Sequence, residues 1–301
     1  MDWLNASDGR IETNVPLADL TWFGLGGAAA CVVYPRDEAH LSDLVRRASG
    51  RNIPLRVLGG GANLLVCDAG VDGIVVRLTE PSFTAVEFDG TVAAAGAGAE
   101  LMRFVKDCVG RGLAGLEGLA GIPGTVGGAI RMNAGGRYGE IKSSVVEARV
   151  VLPSGRVETW SHDRLGFGYR HSGLGGAIVV SARFQLTPDD PDVLRARFQE
   201  YWQAKKESQP LAAHSAGCIF RNPPGEMAGR LIDRAGLKGL AIGRARVSER
   251  HANFIVAEEG ATATDVLRLV EEIRCTVREK FGIQLETEIE IWEPDRQTCP
   301  A

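Results

Sequence analysis

Apolar residues recur along this chain at two spacings, and the switches between them mark out its elements. Leu41, Leu44, Val45 and Ala48 repeat at helical spacing behind Asp37, a good N-cap, and stop before Gly50. Continuous apolar runs at 31–34 and 55–58 flank that helix, which predicts a βαβ unit. Short strands are expected at 64–66 and 74–78, and Asp89-Gly90 signals a hairpin between 85–88 and 91–95. Leu101, Phe104, Val105 and Cys108 then form the inner stripe of a second helix, so Cys108 reads as core. Strands at 145–152 and 156–160 are joined by Pro153-Ser154-Gly155, and a run at 177–186 closes this region. Pro188-Asp189-Asp190-Pro191 looks like a boundary before a helix at 193–207. Beyond it lie a helix at 227–235, a strand at 253–256, and a long helix at 264–281 with Leu267, Val270, Ile273 and Val277 inward. The last strand, 285–292, alternates Glu286, Glu288 and Glu290 with Leu285, Ile289 and Ile291, the mark of a half-buried strand.

This order of elements predicts a mixed α+β chain with helices packed on sheets, divided as 1–82, 83–188 and 189–301. At 301 residues it exceeds one comfortable core. A formal net charge of -4 and the lack of a basic, aromatic-laced patch argue against a nucleic-acid partner. No apolar run approaches membrane-spanning length, and Met1 to Arg10 lacks a signal-peptide core, so a cytoplasmic protein is expected. The six cysteines, Cys31, Cys67, Cys108, Cys218, Cys275 and Cys299, are scattered without metal-ligand spacing, so neither a metal site nor a disulfide framework is expected.

Glycine changes the picture. Its 38 residues are nearly twice the usual share of about 7%, and many sit in two loops. One is Gly59-Gly60-Gly61-Ala62-Asn63-Leu64. The other is Gly121-Ile122-Pro123-Gly124-Thr125-Val126-Gly127-Gly128-Ala129. Runs of unhindered amide N–H groups hold phosphate oxygens without side-chain charge. Neither loop carries the Lys-Ser/Thr pair of a nucleotide hydrolase, so the two together suggest a dinucleotide clamp. Gly24-Leu25-Gly26-Gly27-Ala28-Ala29 fits the Rossmann glycine spacing only formally. A strand-like run follows it where a helix is required, and Asp43, the acidic residue nearest the expected distance, falls inside the next helix.

Several side chains are candidates for chemistry, each with a plainer alternative. Arg170, in Phe167-Gly168-Tyr169-Arg170-His171-Ser172, has the planar fork that grips a carboxylate, or else makes a structural ion pair. Cys218 lies in a polar stretch beside Arg221 and Asn222 and is a nucleophile, a proton donor or an inert thiol. Glu288 is one of three alternating glutamates, and His251 precedes a buried-looking strand. Taken singly, none of them names a reaction.

In order and together, these segments resemble the UDP-N-acetylenolpyruvoylglucosamine reductase (MurB) family. The resemblance runs through 14–17, 21–28, 58–65, 115–135, 167–172, 209–210, 215–223, 228–239, 251–256 and 285–289, and the chain length with the short path from Arg170 to Pro188 looks like the family's shorter form. It implies a two-part FAD-binding domain of the vanillyl-alcohol-oxidase type followed by a C-terminal α/β substrate domain. It also implies FAD as cofactor, NADPH as electron donor, a nucleotide-sugar substrate and a monomeric enzyme of peptidoglycan precursor synthesis. By the same resemblance Arg170, Cys218 and Glu288 are catalytic, while Tyr169, Arg221, Asn222 and His251 meet the nucleotide-sugar. Two departures stand out. Cys218 occupies the place of a serine that commonly delivers the C2 proton, and a thiol is the stronger acid. Ala257 stands where asparagine is common. The competing readings are an oxygen-using oxidase on the same scaffold and a non-catalytic nucleotide-sugar binder.

Overall fold

The computed structural model describes residues 3–4 and 8–294, so Cys299 and part of the opening segment lie outside the described residues. The chain divides into two compact units that interleave. One comprises 1–13, 31–60 and 73–205, the other 14–30, 61–72 and 206–301. The sequence suggests three consecutive segments instead, because a linear pattern of turns cannot show that 14–30 and 61–72 join the distant C-terminal part.

In the first unit the helix α1, Glu38–Ser49, forms where expected. The Asp37 carboxylate accepts from His40 N–H at 3.0 Å, and Leu41, Leu44, Val45 and Ala48 are buried. Its neighbouring strands Ala28–Tyr34 and Leu55–Val57 belong to a four-stranded sheet in which Val71–Val76 lies between them. Leu55–Val57 and Val71–Val76 run parallel, Leu55 opposite Ile74. A five-stranded sheet is ordered Val157–Ser161, Val145–Val151, Ile178–Gln185, Val92–Gly96, Val86–Asp89, with antiparallel pairing throughout. Asp89 opposes Val92, so Gly90, at φ +54°, and Thr91 are the two-residue hairpin loop. After the short helix α2, Pro81–Thr84, the helix α3, Leu101–Gly110, buries Leu101, Phe104, Val105, Cys108 and Val109. The Phe104 ring lies 5.0 Å from that of Phe184. Burial pushes the Cys108 thiol up to about 12, as befits a core cysteine.

The first unit also holds a helix without a sequence signal, α4, Val126–Arg131, inside the second glycine loop. Its adjacent glycines argue against helix on propensity. Thr125 starts it, accepting from Gly128 N–H at 3.4 Å, and Val126, Ala129 and Ile130 are buried. The helix α5, Pro191–Ser208, carries the chain out of this unit.

The second unit gathers Phe23, Leu25 and Leu65 with Ile219, Phe220, Leu231, Ile232 and the inner face of its long helix. Here α6, Ala228–Arg234, precedes an antiparallel sheet of Ala241–Ile242, Ala245–Val247 and Ile255–Ala257. The long helix α7, Ala263–Phe281, starts at a capping box between Thr262 and Asp265 and ends at Gly282, φ +69°. Val266, Leu269, Val270, Ile273 and Val277 form its buried face, and Leu267 sits at the edge of it. The expected strand 285–292 shortens to Glu290–Trp292, which runs parallel to Leu64–Val66. Residues 285–289 leave that ladder because Thr287 bridges Phe220 instead. The Rossmann-like glycines are used for close packing: a Cβ on Gly26 would stand 2.5 Å from the Val66 side chain, and one on Gly27 would stand 2.3 Å from Asp68 O. No helix among the described residues is long and apolar enough to cross a membrane.

Candidate functional site

The two glycine loops meet in the first unit. A Cβ on Gly60 would lie 2.6 Å from Gly124 Cα, and one on Gly59 would lie 2.8 Å from Thr125 Oγ1. At Gly60 glycine is therefore required for close approach of two backbones, and Gly124 also takes a φ of +109° that favours glycine. Their amides divide into two sets. Gly121 N–H donates to Met102 Sδ at 3.1 Å, Ile122 to Leu119 O, Gly127 to Ala97 O and Ala129 to Thr125 O, while Pro123 has no N–H. The amides of Gly59, Gly60, Gly124 and Thr125 donate to no group among the described residues. These four neutral donors suit a diphosphate better than the loops taken whole, and the spent amides belong to residues that shape the bend. In the second unit Gly61, φ +65°, lies against Leu20 O, and its carbonyl accepts from Trp22 N–H at 3.0 Å. The Ala62 and Asn63 amides likewise donate to no group among the described residues. The Asn63 side chain donates to Glu288 O at 3.1 Å, so it supports a candidate acid, and Leu64 is buried in its strand.

Arg170 sits in a tight turn. Gly168 N–H donates to His171 O at 2.9 Å and His171 N–H donates to Gly168 O at 3.3 Å, with Tyr169 and Arg170 at the tip. Arg170 has φ +53°, a left-handed conformation that glycine or asparagine ordinarily takes. A residue of this shape held against its preference marks a place where the surroundings over-determine the backbone. The surroundings are visible. Asn133, fully buried, donates through Nδ2 to Gly168 O at 2.9 Å and to Glu140 Oε2 at 3.2 Å, and it accepts from Lys142 N–H at 3.3 Å. Ser172 Oγ donates to Arg131 O at 2.8 Å. The end of α4 thus fixes both sides of the arginine turn. Burial pushes the Glu140 carboxyl up, but hydrogen bonds from Lys142 and Asn133 and the charges of Lys142 and Arg170 outweigh it, holding Glu140 below its usual range. The Tyr169 ring is half exposed, with the Arg170 guanidinium carbon 5.4 Å from its centroid.

The segments that carry Cys218 and Glu288 pair through their backbones in the second unit. Glu288 N–H donates to Ile219 O at 2.7 Å, Arg221 N–H donates to Glu286 O at 2.9 Å, and Phe220 bridges Thr287. Of the three alternating glutamates, Glu286 and Glu290 are exposed and Glu288 is half-buried. Cys218 is half-buried and not in a disulfide. Asn222 accepts through Oδ1 from Ala228 N–H at 3.0 Å, capping the approach to α6. Arg221 Nε is buried without a hydrogen-bond partner among the described residues. His251 Nδ1 accepts from Asn253 N–H at 3.3 Å, which leaves Nε2 as the donor nitrogen, and burial pushes its pKa below the ordinary 6.5. Sequence inspection missed Asn133 and Asn253. Each is a buried amide in a loop that lies within a segment of the resemblance, and Asn253 stands two residues after His251, but nothing in the local sequence marks either as a buried hydrogen-bonding group.

Comparison with known proteins decides the family. Residues 209–292 match the UDP-N-acetylenolpyruvoylglucosamine reductase C-terminal domain, and 29–161 match an FAD binding domain. The UDP-N-acetylenolpyruvoylglucosamine reductase 2 of Symbiobacterium thermophilum is 43% identical over 286 residues, covering 94% of this chain and 92% of the relative. This chain belongs to the UDP-N-acetylenolpyruvoylglucosamine reductase family. The Azorhizobium caulinodans reductase is 41% identical over 294 residues, covering 97% of this chain and 93% of its own. The crystal structure of the Thermus caldophilus reductase superposes with a TM-score of 0.83 at 42% identity, over 94% of this chain and 99% of that one. As a member of this reductase family the chain is an FAD-dependent oxidoreductase, its FAD-binding and C-terminal domains both present.

Proposed function

We propose that this enzyme reduces the enolpyruvyl ether of UDP-N-acetylglucosamine to UDP-N-acetylmuramate with electrons from NADPH, as a cytoplasmic, monomeric step of peptidoglycan precursor synthesis. The observation that carries this reading is the Glu288 N–H to Ile219 O bond, which pairs the segment of the acid with that of the thiol. The cofactor's diphosphate is assigned to the amides of Gly59, Gly60, Gly124 and Thr125, with Gly61, Ala62 and Asn63 continuing the first loop. FAD bound there supplies the hydride that the substrate takes at C3.

The chain's own residues manage charge and protons. Negative charge grows on the substrate carboxylate as C2 becomes carbanion-like. The Arg170 fork binds that carboxylate with two parallel N–H bonds, already aimed because its turn is fixed. By the family resemblance Glu288, protonated or sharing a proton with the substrate, supplies a further donor, and donors aimed in advance at developing charge supply most of the acceleration. The Cys218 thiol delivers the proton to C2, completing addition of hydride and proton across the double bond. Tyr169, Arg221, Asn222 and His251 hold the nucleotide-sugar. The buried Arg221 Nε suits its diphosphate, and a neutral His251 offers an Nε2–H donor.

Anaerobic stopped-flow absorbance tests the reading. NADPH should bleach the bound flavin, and the enolpyruvyl nucleotide should restore its colour. Oxygen consumption with a sugar and no NADPH would point to an oxidase, and bleaching with no substrate-driven recovery to a mere binder. Replacing Cys218 with serine should leave turnover, because an alcohol also carries a proton, whereas Cys218→Ala should slow recovery by about 100-fold or more. An inactive serine variant with intact FAD and substrate binding would remove the proton-donor role from Cys218.

A further inference from the structure

Asn253 is buried to 3% exposure, and every polar group recorded for its side chain is spent on one residue. Its Oδ1 accepts from Phe220 N–H at 2.9 Å and its Nδ2 donates to Phe220 O at 2.7 Å. The amide orientation is fixed by chemistry, since a backbone N–H can only donate and a carbonyl can only accept. The Asn253 backbone adds a third bond, its carbonyl accepting from Ile219 N–H at 2.8 Å. Ile219 O in turn receives the Glu288 N–H at 2.7 Å, and Cys218 is the residue next to Ile219. Asn253 N–H also bonds His251 Nδ1. A single buried amide therefore completes the strand-like pairing of a segment that has no regular strand on that side.

We infer that Asn253 is a positioning residue, its carboxamide locking the Phe220 backbone so that Cys218 is set for proton delivery and Glu288 for its contact with the substrate carboxylate. This rests on the reaction assigned above and deepens it. Asn253 touches none of the reacting atoms and acts through the 219–220 backbone. Leaving one buried partner unpaired would shift that segment, and displacement of reacting groups by about 1 Å costs on the order of 100-fold.

Asparagine-to-aspartate substitution makes the idea testable, because a neutral carboxylic acid repeats the amide's pattern of one donor and one acceptor. The carboxylate has only acceptors and opposes Phe220 O. The FAD-loaded N253D variant is reduced anaerobically with NADPH and then mixed with the enolpyruvyl nucleotide across a pH series. Rates are taken as ratios to wild type at each pH, which removes the titrations of His251, Cys218 and Glu288. Reduction by NADPH should match wild type at all pH values. Reoxidation by substrate should fall by about 100-fold at alkaline pH and recover toward wild type as the pH is lowered.

N253Q keeps both amide groups one methylene farther out and buries no charge. It should retain flavin and NADPH reduction while reoxidising about 10-fold slower at every pH. The inference is overturned if N253D reoxidises normally at alkaline pH, if its loss is the same at every pH, or if N253Q reoxidises like wild type. C218A and E288Q run alongside separate the two levels. Wild-type reoxidation in both would sink the assigned reaction itself, whereas their failure beside a normal N253D would sink only the role of Asn253.

Discussion

Arg170 shows how one residue can work against its fold. At φ +53° its backbone costs roughly 1 kcal/mol that a glycine would not incur. Replacing it with glycine should therefore abolish substrate-driven flavin reoxidation while leaving the melting temperature equal or higher, as calorimetry of the FAD-bound protein would show. A clear fall in Tm would mean that the guanidinium contributes more to the fold than its turn takes away. His251 gives a second prediction at this scale. Burial holds its pKa below 6.5, so the folded state takes up a proton less readily than the unfolded chain. The associated stability is complete above pH 6.5 and is lost as the pH falls from there toward the folded value. His251→Gln should flatten the Tm-against-pH curve in that window, and an unchanged slope would show that other groups set it.

At the scale of elements, the features that were legible in sequence are those that repeat. The α1 and α3 stripes, the Asp89-Gly90 hairpin and the α7 face all carry a period, and burial follows that period closely. Elements decided by tertiary contact were not legible. The helix α4 is glycine-rich and forms because Thr125 caps it and Val126, Ala129 and Ile130 are buried. Residues 285–289 leave the expected strand because Phe220 and Asn63 claim their backbone groups. The cofactor loops were legible as glycine clusters, but which amides remain available depends on Met102, Ala97 and Leu119, residues that no local motif indicates. Loop contact is also where substitution should act. A Cβ at position 60 meets Gly124 Cα at 2.6 Å, so Gly60→Ala should cost about 1–3 kcal/mol of overpacking and release FAD, read as a lower flavin-to-protein absorbance ratio. Gly110→Ala, with nothing near its added Cβ, is the control that should keep its flavin.

At the scale of the molecule, the interleaving of the two units carries a consequence for the C-terminal region. The stretch matching the reductase C-terminal domain, 209–292, holds most of the second core but lacks Phe23, Leu25 and Leu65, which are buried within it. Those three side chains represent roughly 5–9 kcal/mol of apolar burial, against a typical net stability of about 5–15 kcal/mol for a whole domain. The same stretch also lacks Leu64–Val66, the parallel partner of Glu290–Trp292. It lacks Asp68 as well, whose carboxylate accepts from Ala263 N–H at 2.8 Å and from Thr264 N–H at 3.0 Å and Oγ1 at 2.7 Å at the start of α7. A fragment of residues 206–301 should therefore melt without a cooperative transition and show poorly dispersed amide resonances, even though α7 retains helical signal from its own capping box. Supplying 14–30 and 61–72 through flexible linkers should restore a cooperative melt, because it returns the missing core, the partner strand and the cap together. Cooperative unfolding of the bare fragment would show instead that its own helices and three-stranded sheet make a sufficient core.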